Sequence, residues 1–446
     1  RKGARHRILS RVALTLILAL LIQSPEAPSV TAFVGATVLP MDSERRLADY
    51  TVLVDGTRIV AVGPSATTPV PEGARVIDAA GQFLLPGLVD MHVHTWGASD
   101  AAQFLAHGVT TVRNLFGNPQ HLAWRAAVKS GTRLAPNMVT AGPIVDGESP
   151  VWPGSLVVTD VESARAAVEL HVERGYDFVK VYQRLSSEAY EAVVEEARLA
   201  GLAVDGHTPD AVGYERVLAA GQRTVEHMSG IGLLVATPPA GTGWNGDSLA
   251  WTHVDPERQA VWVARSVEAG VWLCPTLVVF QKMFEPPIFE RELASETMRR
   301  VPEFTRQMWR NMNAGNTPEG RAAARDSVPG RMAFVKAFAD AGGKLILGTD
   351  MGNPLVAPGH SLHEELANFV AAGLTPYQAL HAATRAPAEC LGQAERFGAV
   401  LVGLRADLVL LAGDPLLDVN RAREPLGVML RGRWLERAEL DALLGD

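Results

Sequence analysis

From residue 85 to residue 395 the chain alternates short apolar runs with segments of helical period. FLLPGLVDMHV, GVTTVRNL, APNMVTAG, YDFVKVY, LAVDGHT, RTVEHM, GVWLCPTLVV and KLILGTD read as strands. Continuous apolar runs of this length fit strands covered on both faces. Several follow a glycine (Gly108, Gly175, Gly201, Gly221, Gly270, Gly343) that closes an Ala-, Glu- and Arg-rich helical stretch such as SEAYEAVVEEARLA. Eight strand–helix units in tandem predict an α/β chain folded as a (β/α)8 TIM barrel, not an open sheet.

Both ends have a different texture. Residues 28–84 and 396–446 carry β-rich runs broken by turns: TAFVGATVL, DYTVLVDGTRIVAVG and ARVIDAAGQFLL before the barrel, ADLVLLAGD and GVMLRGRWL after it. Asp55-Gly56 between two such runs is a hairpin signal. These ends predict one small β-sandwich built from both termini. Two long interruptions, 229–258 after the sixth strand and 281–330 after the seventh, follow strand C-termini, where barrel enzymes keep their chemistry. They are expected to wall a substrate pocket.

Residues 1–27 stand apart. Basic RKGARHR and Arg11 precede apolar VALTLILALLI, then polar QSPEAPS. This is the layout of a secretory signal peptide, and the apolar core is short for a membrane span. No cysteine follows it, which argues against lipoprotein processing. The expectation is export, to a bacterial periplasm, with no stable membrane span after cleavage; an uncleaved N-terminal anchor is the alternative.

Composition narrows the chemistry. At 446 residues and 47% hydrophobic the chain can bury a barrel and a companion module. A formal charge of −8 argues against nucleic acid as a partner. Cys274 and Cys390 are the only cysteines, and Cys274 lies in an apolar run, so a buried free thiol is expected. With no CxxC pair, any metal must be held by nitrogen and oxygen.

Such donors close the strands in order. His92 and His94 are two apart, so both side chains leave one face and can chelate one divalent ion. Lys180 in FVKVY shares a face with Phe178 and Tyr182. A lysine inside a barrel loses stability as a cation unless its pKa falls or it is modified. A neutral amine can add CO2, giving a carbamate that bridges two cations; the bland alternative is a lysine that snorkels from the strand end. His207 and His227 end the next two strands, and Asp350 ends the eighth. Together they provide ligands for two metals with an open position for water.

The order HxH, Lys, His, His, Asp resembles the amidohydrolase superfamily. FLLPGLVDMHVH, AHGVTTVRN, GHTPDAV, TVEHMSG, GTDMGNP and ADLVLLAGDPL are similar to its imidazolonepropionase-like and Xaa-Pro dipeptidase-like branch. The resemblance covers nearly everything after residue 27. It implies that His92, His94 and Asp350 hold the more buried metal, that His207 and His227 hold the other, and that a carbamate on Lys180 bridges them. Met351 and Asn114 depart from the branch, where a small residue and an aspartate are common; neither belongs to the ligand set.

Two divalent cations, zinc by default for such donors, would keep a bridging hydroxide ionised at neutral pH. Asp350 would serve as catalytic base and then acid. The expected reaction is hydrolysis of an amide, in a peptide-like or N-acyl amino acid substrate. A lactam, imidazolone-type or ester hydrolase on the same site is the alternative, and a non-catalytic binding barrel a third reading. Deaminases of the superfamily usually lack the bridging lysine. Tyr182, Trp152, Trp244, Trp251 and Phe280 are candidate pocket aromatics, with ordinary packing as the other role open to each. Arg113 is a candidate for a substrate carboxylate or for a structural ion pair. Small-molecule substrates are the expected partners, and homo-oligomer formation stays open.

Overall fold

Eight parallel strands form a closed ring: Leu88–Val93, Val109–Asn114, Asn137–Thr140, Phe178–Val181, Ala203–Gly206, Thr224–Glu226, Trp272–Cys274 and Lys344–Leu345. The structure is a computed structural model that describes residues 30–95, 97–237 and 243–445; the segment read as a signal peptide lies outside them. Neighbouring strands pair in sequence order. A single bridge, Ala141 to Phe178, joins the third to the fourth. Closure of the eighth onto the first uses the Val93–Met351 bridge and the Met91 N–H donating to Leu347 O at 2.9 Å.

Strand alternation sorts the side chains. In Phe178–Val181, Val179 and Val181 join the core against the helices Val161–Arg174 and Ser187–Leu199. Phe178 and Lys180 take the opposite face, inside the ring. The helix Ser187–Leu199 starts where the Ser186 side chain accepts from the Ala189 N–H, and it buries the stripe Ala189, Tyr190, Val193 and Ala197. A side chain of Val or Tyr size contributes roughly 1.5–3 kcal/mol when buried, so this stripe fixes the helix to the barrel more firmly than its cap does.

The second module is one sheet drawn from both ends. Its order runs Arg433–Glu436, Gly427–Leu430, Leu408–Leu411, Phe83–Pro86, Val30–Val38, Leu47–Asp55, Arg58–Pro64, with Arg75–Asp78 also paired to Val30–Val38. Phe33 and Trp434 lie four strand steps apart, roughly 19 Å on a flat sheet at the usual spacing. Their rings nevertheless meet edge to face at 5.1 Å. The sheet therefore curls over its own core, which gives the expected sandwich. Leu408 and Leu410 point into that core, while Val409 and Leu411 belong to the barrel's.

Three details differ from the sequence reading. FLLPGLVDMHV is two strands, because Phe83–Pro86 pairs with Leu408–Leu411 of the small module before the chain enters the barrel. Gly87 makes the crossing, where a Cβ would lie 2.1 Å from Thr110 Oγ1. The run GVWLCPTLVV is strand only to Cys274; Leu277–Gln281 is helical after Pro275. Two short strands, Val145–Asp146 and Leu156–Val157, extend the sheet beside the fourth barrel strand. Both cysteines are buried and free, as expected. Among the described residues no helix is long and apolar enough to cross a membrane.

The interruptions fold as helices over the C-terminal strand ends: Gly232–Val235 and Gly243–Ala250 in the first, Pro286–Leu293, Glu296–Arg299, Glu303–Gly315 and Pro318–Asp326 in the second. Phe289, Leu293, Met298 and Trp309 give the second its own core with Leu355. Trp309 Nε1 donates to Gly352 O at 2.8 Å, which ties that core to the loop after the eighth strand.

A histidine pair in the helical shell makes stability sensitive to acid. His363, on the helix His360–Ala371, lies 6.1 Å from the His107 ring and its Nε2 is 2.9 Å from His107 O. Burial holds His107 down to about 4 and His363 well below the usual imidazole range. A depressed imidazole is protonated more readily in the unfolded chain. Stability is therefore full above an unfolded pKa of about 6.5 and falls as pH drops from there through the folded values. The thermal midpoint should decline from pH 6.5 toward 4, and His363→Gln should flatten part of that slope; an unchanged slope would remove His363 from the account.

Candidate metal centre

The ligand candidates meet at one strand end because the backbone bends there. His227, Met228, Thr276 and Asp350 all have positive φ, 60°, 53°, 48° and 60°. Each costs roughly 1–2 kcal/mol in a residue with a Cβ, and such strain clusters where function needs it. One consequence is local. Glu226 and His227 are adjacent in sequence, yet both turn into the barrel, with Glu226 Oε2 at 2.7 Å from His92 Nδ1 and the His227 ring 4.7 Å from the His92 ring.

The rings form a continuous arc. His94, His92, His227, His207 and Tyr182 follow one another with centroid separations of 5.3, 4.7, 4.8 and 4.0 Å. Asp350 sits at the centre. Its Oδ1 is 3.2 Å from His92 Nε2 and 3.0 Å from His94 Nε2, and its Oδ2 is 3.7 Å from His227 Nε2. Lys180 is buried beside this arc, in register with Asp205, its Nζ 5.8 Å from the Tyr182 ring centroid.

Electrostatics put the three buried imidazoles and the Asp350 carboxylate in the form a cation requires. Burial holds His92 at about 4, His227 at about 3 and His207 well below the usual range, so all three are neutral near pH 7. Burial alone would raise Asp350, but the imidazolium forms that His92, His227 and His94 take up in acid hold its carboxyl far below the carboxylate range, so it is ionised near pH 7. Burial also lowers Lys180, to about 8, against the pull of Glu226 and Asp350. Metal ligands must be deprotonated, and the His92, His207 and His227 rings and the Asp350 carboxylate are; the Lys180 amine, at about 8, is brought closer to neutrality without reaching it at pH 7.

A test of fit comes from the orphaned atoms. His92 Nε2, both ring nitrogens of His207, and Asp350 Oδ1 are buried without a hydrogen-bond partner. Arg113 and His92 hold Glu226 far below the carboxylate range against the effect of its burial, so it only accepts and His92 Nδ1 must carry the proton. His92 Nε2 then turns a lone pair toward the ionised Asp350 Oδ1. Two lone pairs at that distance repel unless a positive centre lies between them. The donor set fits a divalent cation.

The sequence-predicted residues divide by position. His92, His94, Lys180, His207, His227 and Asp350 come together. Trp152 joins Tyr182, its Nε1 donating to the Tyr182 hydroxyl at 2.9 Å, and the Tyr182 ring stands 4.0 Å from that of His207. Arg113 does not face the mouth. Fully buried below the ring, it donates to Met91 O at 2.6 Å, Asp205 at 2.8 Å and Glu226 at 2.7 Å. Of its two candidate roles the structure gives it the ion pair, because its cation neutralises two buried carboxylates. Trp251 and Phe280 are packing residues, buried against Arg331 at 5.1 and 3.7 Å. The side chain of Trp244 lies outside the described residues. Asn114 bridges strands, accepting from the Thr95 N–H and donating to Thr140 Oγ1, and Met351 makes the closing bridge.

Asp90, Asp205, Glu226 and Thr276 were not singled out from sequence. Asp90 accepts from Thr349 N–H and Oγ1, fixing the turn before Asp350; Thr276 Oγ1 is 2.6 Å from His227 Nδ1. A signal did exist, since an acidic residue stands one or two positions before His92, His207 and His227. At a spacing of two it shares the histidine's face.

With the geometry in place, comparison with known proteins gives the family. The profile of the amidohydrolase family matches residues 83–435, and the chain belongs to that family. It is thus a hydrolase acting on amide or other C–N bonds. An ochratoxinase from Aspergillus niger is 25% identical over 476 aligned positions, covering 92% of this chain and 86% of its own. The structure of a bottromycin amidohydrolase is 27% identical, with a TM-score of 0.75 over 93% of this chain and 89% of that one. A Xaa-Pro dipeptidase with bound methionine shares the fold, at TM-score 0.69 and 21% identity over 92% of this chain and 100% of that one.

The first interruption reaches the centre through Arg331, which stands just after the second. Its Nη1 donates to His227 O at 2.7 Å and its Nη2 approaches Asp247 Oδ2 at 3.3 Å, both charges being buried. Arg331→Met should lower unfolding stability by about 3–5 kcal/mol, since it strands Asp247 without a counter-ion. Adding Asp247→Asn should recover part of this in urea titration; a single variant as stable as the parent would refute the coupling.

Proposed function

We propose that this chain is a dinuclear metal-dependent amidohydrolase that cleaves the amide of a peptide-like or N-acyl amino acid substrate. The observation that carries the reading is the convergence of lone pairs at Asp350, with His92 Nε2 at 3.2 Å and His94 Nε2 at 3.0 Å from one carboxylate oxygen. In this reading His92, His94 and Asp350 would hold one cation and His207 and His227 the other, with carboxylated Lys180 supplying a further oxygen ligand to both. Two zinc ions would supply Lewis acidity and an ionised water at neutral pH.

The protein's own groups do the rest. Asp350 receives a proton from the attacking water on one oxygen and returns it to the leaving nitrogen. Burial of the Lys180 amine favours the neutral form that combines with CO2, releasing one proton as the N–C bond forms. Tyr182 beside His207, with Trp152 hydrogen-bonded to its hydroxyl, offers aromatic surface suited to an aromatic or branched acyl group. Ochratoxinase and bottromycin amidohydrolase, similar over most of the chain, support the choice of an amide. The basic-then-apolar leader supports export, which would direct the enzyme to small amides outside the cytoplasm.

Metal analysis of the purified chain should find about two divalent ions, and Lys180→Ala should lose at least one. A Lys180→Ala variant keeping both ions and full activity would end the bridging role. Asp350→Asn should lower kcat by about 10²–10⁴. Hydrolysis should be measured across dipeptides, N-acyl amino acids, lactams and aryl esters. Turnover confined to the last two would move the assignment to the cyclic-amide or ester side.

A further inference from the structure

Below the ligand ring lies a carboxylate whose role the proposed chemistry leaves unassigned. Glu226 is fully buried. Its Oε1 accepts from Arg113 Nη2 at 2.7 Å and from Thr224 Oγ1 at 2.5 Å; its Oε2 accepts from His92 Nδ1 at 2.7 Å. Arg113 is anchored in turn. It donates to the carbonyl of Met91, next to His92, and to Asp205, which Arg223 also grips through both oxygens at 2.8 and 2.5 Å.

This network makes His92 unlike a free histidine. A neutral imidazole has one N–H and one lone pair, and a hydrogen bond at one nitrogen decides which is which. Two donors occupy Glu226 Oε1, so Oε2 is the oxygen left for His92. The carboxylate cannot donate, so His92 keeps its proton on Nδ1 and its lone pair on Nε2, toward Asp350. A carboxylate behind a ligating histidine also fixes ring orientation and raises ligand basicity. The Sγ of Cys274 lies within reach of His92 and Glu226. Burial raises that thiol well above its usual range and Nδ1 is already taken, so these three do not form a second metal site.

We propose that Glu226 is the positioning residue of the centre: held by Arg113, it locks His92 in the tautomer that offers Nε2 to a metal. This rests on the reading of His92 as a ligand. Glu226→Gln tests it sharply. Arg113 and Thr224 would keep the glutamine oxygen, so its NH2 would face His92 Nδ1. That reverses the tautomer and places an N–H where the lone pair had been.

The experiment compares the parent, Glu226→Gln, Glu226→Asp and His92→Ala. It measures Zn2+ dissociation constants by chelator competition and the tautomer by 15N NMR of histidine-labelled, metal-free protein. Folding is checked by circular dichroism. Glu226→Gln should keep the fold, show His92 protonated on Nε2, and weaken the tighter zinc site about 10–100-fold. Glu226→Asp keeps the charge for Arg113 but shortens the reach to His92; it should weaken zinc binding in the same direction and carries the test if the glutamine variant misfolds. Zinc affinities within twofold of the parent in both variants, with the Nδ1 proton retained, would overturn the proposal while leaving the metal centre intact. If the parent binds no zinc, or His92→Ala binds it as well as the parent, the metal-centre reading falls and the proposal with it.

Discussion

The arrangement depends first on a buried ion pair. Arg113 lies under the ligand ring with Glu226 on one side and Asp205 on the other. Unpaired, any of these charges would cost several kcal/mol at such depth. Paired, they link the second strand to the fifth and sixth, and through Met91 O and His92 Nδ1 to the first. The ligand histidines thus project from strands already fixed to one another by charge below them.

Above that layer the backbone departs from regular strand geometry, and the surroundings hold the departures. His227 and Asp350 sit in left-handed conformations at the ends of their strands. The first is restrained by Arg331 on its carbonyl and Thr276 on its ring, the second by Thr349 and Asp90 before it and by Trp309 on Gly352 after it. Buried Glu365 accepts from the N–H groups of Leu277 and Val278, fixing the turn that carries Thr276. Trp309 in the second interruption, and Arg331 just after it, thus help to hold the strained strand ends that bring Asp350 within reach of three imidazoles.

Much of the candidate site was legible because its donor residues terminate apolar runs, where alternation gives the facing of each side chain. Strand order and barrel closure bring His92, His94, Lys180, His207, His227 and Asp350 to one mouth, and the left-handed turns at His227 and Asp350 complete their approach. Arg113 carried two readings because sequence gives the face of a residue but not its depth along the barrel axis. Trp251 and Phe280 follow strand ends, like Trp152, yet they pack under Arg331 while Trp152 reaches Tyr182. Loop side chains have no periodicity to orient them. Glu226 was hidden for a related reason: next to His227, it should face away under strict alternation, and only the positive φ at His227 lets both point inward.

The sequence by itself determined the class of fold, the two-ended small module and the donor types, since these follow from periodicity, residue chemistry and strand order. The tertiary structure decided which polar groups face the mouth and which lie beneath it. It also split FLLP from LVDMHV at Gly87 and turned TLVV into a helix after Pro275. Those outcomes depend on long-range pairing: Leu408–Leu411 recruits one strand, Glu365 caps the turn at Leu277 from 88 residues away, and the carboxylates of Asp205 and Glu226 claim Arg113. Local patterns specify elements; the balance of buried charges between distant strands specifies the centre.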